Sequence, residues 1–119
     1  MSTEHLPAID VHGHYGRYIR AETPDFVNDF MTGDPALVVS RAQAANIAWT
    51  IVSPLEALLP RFAGDPIAGN EHAACDVAGT PGLLQYVVID PLHPETFVQA
   101  ERMLSLPTCV GIKIHPEEH

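Results

Sequence analysis

Apolar and polar positions alternate along this chain with two different periods. Four short runs, Ala8 to His12, Thr50 to Ser53, Leu83 to Asp90 and Val110 to His115, are rich in Val and Ile and bounded by Pro or Gly. Such runs predict strands. Between them, apolar residues recur at helical spacing. Asp34-Pro35 offers an N-cap and a proline at the first helical position, with Val38, Ala42 and Ala45 following at i, i+4 and i+7. Asp65-Pro66 repeats that start, with Ile67, Ala74, Cys75 and Ala78 as the expected buried stripe and Gly79 as the stop. Pro94 opens a third helix in which Phe97, Ala100 and Leu104 share a face, closed by Pro107. The order β-α-β-α-β-α-β predicts an α/β fold with parallel strands and right-handed helical crossovers. The longest connection, Tyr15 to Gly33, reads as a lid or binding loop, or as cover for a short helix.

In a parallel α/β fold, ligands bind beyond the carboxyl ends of the strands. Those ends carry His12 (with His14 just beyond), Ser53, Asp90, and Lys113 with His115. In the last strand Val110, Ile112 and Ile114 alternate with Gly111, Lys113 and His115. The apolar set can therefore face the helices while Lys113 and His115 point the other way. An inward lysine is costly to bury without a partner, and a cleft or barrel mouth would supply one.

The chemistry concentrates in His12-Gly13-His14. Residues i and i+2 of a strand lie on one side, roughly 6.6 Å apart. Two imidazoles at that spacing can lean onto one ion, each at about 2.0–2.1 Å if it is zinc. Gly13 adds no side chain and lets the strand bend as it ends. Asp10 has the same parity and could orient a ligand from beneath. His115 reads equally as a site residue or an ordinary strand-end histidine. Lys113 reads as a catalytic group or as an ion-pair partner of Asp10 or Asp90. His72, beside Glu71, belongs on a solvated helix face, and His5, His93 and His119 fall in loops or termini. Cys75 and Cys109 read as small core residues, and Asp90-Pro91 as a strand end leading into a turn.

Composition bounds the partners. The 119 residues are 46% hydrophobic and 18% charged, a globular balance for a single domain spanning 1–119. A net charge of −9 with only six Lys and Arg disfavours nucleic acid and anionic membrane surfaces. The apolar runs are too short to span a bilayer, two cysteines make no disulfide framework, and no basic leader opens the chain. The expected setting is cytoplasmic, with a small-molecule substrate. Neither a Rossmann fingerprint nor a P-loop occurs, which weakens an open doubly wound sheet as the alternative.

Three stretches resemble the amidohydrolase-related metal-dependent hydrolases. They are "IDVHGHYG" near the N-terminus, "VVIDP" after a Pro-Gly turn, and "GIKIHPEEH" at the end. The resemblance is collinear over nearly the whole chain. It implies a (β/α)8 barrel whose first strand carries the metal motif, with His12 and His14 as ligands of a divalent ion, zinc by preference. Lys113 occupies a place similar to a lysine that is carbamylated in the wider superfamily, although the branch resembled here uses a single metal. His115 would lie near the site mouth, and both residues are the candidate catalytic groups. The implied reaction is hydrolysis of an amide, ester or lactone, or decarboxylation of a small carboxylic acid. A complete barrel needs about 250 residues, so the resemblance implies an N-terminal half. That half is expected to be inactive alone, with the remaining ligands in a complementing C-terminal half. A second expectation, from another class, is a non-catalytic half-barrel that self-associates or binds a small ligand.

Overall fold

The structure is a computed structural model that describes residues 6–59 and 64–118. Four strands, β1 (Ala8–Tyr15), β2 (Ile47–Pro54), β3 (Leu83–Val88) and β4 (Cys109–Lys113), alternate with helices. The helices are α1 (Asp25–Met31), α2 (Pro35–Ala44), α3 (Leu55–Leu58), α4 (Pro66–Ala78) and α5 (Glu95–Met103). All strand pairs are parallel and the sheet order is β1-β2-β3-β4, so each strand lies beside its neighbour in sequence. A doubly wound sheet reverses its order at a switch point. This sheet winds in one direction only, which keeps the crossover helices on one face. Among the described residues no helix is long and apolar enough to cross a membrane.

The two aspartate–proline starts act as the sequence suggests. Asp34 accepts a hydrogen bond from the Leu37 N–H at 2.8 Å. Asp65 accepts from Ile67 at 2.9 Å and Ala68 at 3.2 Å. Each carboxylate thereby satisfies donors that a helix leaves open at its first turn. The long connection after β1 is a closed excursion. Gly16 and Gly33 exchange backbone hydrogen bonds of 2.7 and 3.2 Å at its base, and α1 lies within it.

Helix faces depart from the periodicity reading. The buried stripe of α4 is Pro66, Gly69, Asn70, Ala73 and Val77, whereas Ile67, Cys75 and Ala78 are exposed and Ala74 is half-buried. The cause is Asn70, a polar residue buried on β3. Its amide donates to the Val88 carbonyl at 2.8 Å and accepts from the Val88 N–H at 2.9 Å, so a side chain stands in for a neighbouring strand. It also donates to Gln99 Oε1 at 2.8 Å, and Gln85 donates to the Asn70 carbonyl at 3.1 Å. These bonds rotate α4 away from its most hydrophobic face. Similarly, α5 buries Thr96, Gln99, Ala100 and Met103 while Phe97 and Leu104 stay exposed. In α2, Ala45 is an exposed cap residue; Val38 and Val39 make the contact with the core. Of the two cysteines, Cys109 is buried and Cys75 is exposed.

The core lies between the sheet and these helices. Tyr15, Val52 and Leu83 pack with Ala73 and Val77 of α4, and Val87, Ile89 and Cys109 pack with Ala100 and Met103 of α5. Strand residues of the opposite parity, such as Trp49 at 44% exposed, face away from the helices. The carboxyl ends of β1 and β4 rise at the two margins of that open face.

Candidate metal centre

The end of β1 is shaped by a bulge. Asp10 pairs with Thr50 and Gly13 with Val52, so three steps on β1 oppose two on β2. The extra residue puts Asp10 and Gly13 on the same side, toward α2, where both line a cleft with Val38, Arg41 and Ala42. His14 lines the same cleft, and the Asp10 carboxylate accepts the His12 backbone N–H at 2.9 Å, so Asp10 lies beside the histidine pair. Gly13 is required here: a Cβ would run into the Cγ2 methyl of Thr50 and stand 3.3 Å from Cγ1 of Val52.

Past the bulge the two imidazoles converge, with ring centroids 5.1 Å apart and planes at 77°. His14 Nδ1 lies 3.1 Å from the Ser53 carbonyl oxygen. A carbonyl can only accept, so Nδ1 carries the proton and the Nε2 lone pair is left to bind a ligand. Burial lowers the His14 pKa below its usual value, the Ser53 carbonyl opposes this, and the charges of His12, Lys113 and His115 push it down further. The neutral, metal-binding form is thus favoured at neutral pH. His12 is exposed and His14 half-buried.

The same electrostatic influence places β4 in the picture. Lys113 and His115 act on His14 although the two strands are the outer members of the sheet. All four residues of the sequence-selected group lie at the carboxyl edge of the parallel sheet, His12 and His14 in β1 and Lys113 and His115 at and beyond the end of β4. Lys113 pairs with neither Asp10 nor Asp90. Asp90 instead accepts the Leu92 N–H at 2.9 Å and lies 3.6 Å from His93 Nε2, which makes it a turn-forming residue. The turn after β4 closes through the Glu118 N–H and the His115 carbonyl at 2.9 Å. Arg20 of the long excursion reaches Glu118 at 3.9 Å, so that excursion is tied to the end of β4.

Two supports of the site carry no signature in the sequence. Ser53 contributes a backbone carbonyl, which any residue could supply. Tyr15 is buried and its hydroxyl donates to Asp76 at 2.9 Å, pinning the end of β1 to α4, and both burial and that carboxylate raise its pKa. His72 lies on an exposed helix face as expected, with Nδ1 3.0 Å from both Glu56 oxygens. His5 and His119 fall outside the described residues.

The donors brought together are two imidazoles, and His14, with Nδ1 turned to the Ser53 carbonyl, presents its Nε2 lone pair. Among the described residues no group of three or more His, Cys, Asp or Glu side chains is placed to hold an ion. No family model matches the chain, and no curated protein matches it either.

Proposed function

We propose that this chain forms one wall of the active site of a metal-dependent hydrolase, with the singly wound β/α units making half of a (β/α)8 barrel. The observation that carries the reading is the orientation of His14 by the Ser53 carbonyl beside His12, at the carboxyl end of the first strand. Strand ends of this kind are where barrel enzymes place their chemistry. The strand order β1-β2-β3-β4 supports a barrel over a doubly wound sheet.

His12 and His14 would hold the ion. Zinc suits two imidazoles with further oxygen ligands. When bound, such an ion supplies Lewis acidity toward a carbonyl and toward water. The chain's own contributions are distinct from it. Ser53 keeps His14 in the Nε2-binding tautomer, and Gly13 allows β1 to lie against Thr50 and Val52. Lys113 offers a positive charge for a carboxylate or a developing oxyanion at the mouth, and His115 a proton-transfer group. The substrate class that fits is a small amide, ester or lactone; decarboxylation of a small carboxylic acid uses the same groups. Catalytic zinc usually takes three protein ligands, so the two histidines alone are expected to bind metal without turnover.

Zinc titration followed by NMR of the histidine rings tests the reading. The His12 and His14 signals are expected to shift together and saturate at one ion per chain, ahead of His72 and His93. Unmoved His12 and His14 signals while the surface histidines respond would overturn it.

A further inference from the structure

We propose that the cavity beside Tyr15 binds a free amino acid with an aliphatic side chain, its ammonium group at Asp76 and its carboxylate at Arg17. The cavity measures about 400 Å³, within the range of small-molecule sites. It lies between the end of β1, the start of the long excursion, the junction of β2 with α3, and α4. Tyr15, Arg17, Ile19, Leu55, Glu56 and Asp76 are among the residues that line it, and neither His12 nor His14 does. It is therefore a second site, distinct from the histidine pair.

Two opposite charges border this space without meeting. Asp76 accepts from the Tyr15 hydroxyl at 2.9 Å, a neutral donor that leaves the charge of the carboxylate uncompensated. Among the described residues neither Asp76 nor Arg17 takes part in an ion pair. Glu56 differs, because both its oxygens lie 3.0 Å from His72 Nδ1, outside the cavity. Burial first, then the hydrogen bond to Asp76 and the charges of Asp76 and Glu56, raise the Tyr15 pKa. The potential at that end of the cavity is thus negative, while Arg17 supplies the positive end. Leu55 is buried and Ile19 is 43% exposed, so the wall between them is apolar.

A ligand that bridges the two charges needs a cationic donor for Asp76, an anionic acceptor for Arg17 and an apolar body for Ile19 and Leu55. A metal cation or a phosphate ion meets one of these demands. An α-amino acid with a branched aliphatic side chain meets all three from groups on a single carbon. Charge-assisted hydrogen bonds are the stronger kind. Asp76 and Arg17 are both exposed, however, so water competes and binding is expected in the millimolar range.

Titration of the 119-residue chain with L-leucine in EDTA, followed by NMR, tests this. One-to-one saturation is expected, with the largest shifts at Tyr15, Ile19 and Leu55. Isopentylamine, which lacks the carboxylate, and isocaproate, which lacks the amine, are each expected to bind about three- to tenfold more weakly. Arg17→Gln should abolish the preference for leucine over isopentylamine, and Asp76→Asn the preference over isocaproate. Asparagine still accepts from the Tyr15 hydroxyl, so the second variant keeps the link between β1 and α4, and circular dichroism checks both folds. No saturable shift at the cavity, equal binding of leucine and either analogue, or variants that leave these preferences unchanged would each overturn the proposal. EDTA keeps zinc out of the titration, so its outcome and that of the metal reading are independent.

Discussion

Gly13 decides whether the two histidines can converge. With Thr50 and Val52 filling the space behind it, Gly13→Ala is expected to cost about 1–3 kcal/mol through overpacking, read as a lower urea midpoint. An unchanged midpoint would mean that the bulge relaxes freely. His72 supplies a pH test. Its hydrogen bond to Glu56, and then that residue's charge, raise its pKa above 6.5. A raised folded-state pKa gives stability that is complete below the unfolded value near 6.5 and is lost as pH climbs through the folded one. The melting-temperature advantage of the native protein over His72→Gln should therefore be present in mild acid and fade in alkali. An advantage that grows with pH would contradict the ion pair. At this scale the His12-Gly13-His14 pair was legible, because residue types and strand-end position carry it. The bulge between Asp10 and Gly13 was not, since it depends on the register with β2.

At the scale of elements, caps and strand order were legible and helix faces were not. Asp34 and Asp65 announce their helices through local hydrogen bonding, which needs no tertiary contact. The buried stripe of α4 does need one. Asn70 matches the Val88 peptide in both directions, and no apolar pattern records that. Asn70→Ala would leave the Val88 N–H and carbonyl and the Gln99 acceptor without this partner in a buried site. Its expected cost is on the order of 3 kcal/mol, measured by chemical denaturation. A loss below about 1 kcal/mol, the size of a single ordinary hydrogen bond, would show that water replaces the amide. Phe97 and Leu104 mislead for a related reason. Thr96 turns α5 by bonding the Asp90 backbone, accepting from its N–H at 2.9 Å and donating to its carbonyl at 3.1 Å.

For the whole molecule, alternation of strands and helices made the parallel α/β class legible. The single winding direction appears only in the strand order, and that order brings β1 and β4 to the two margins of one open face. The proposed function rests on that placement, with His12 and His14 at the end of β1 and Lys113 and His115 at and beyond the end of β4, all at the carboxyl edge of the sheet. Metal content per chain, by plasma mass spectrometry on protein purified without chelator, is the most direct test. The account expects near-stoichiometric zinc in the native chain and its loss in the His12→Ala/His14→Ala double variant, with the fold retained by circular dichroism. Equal metal in both proteins, or none in either after zinc is supplied, would contradict a metal centre at the end of β1.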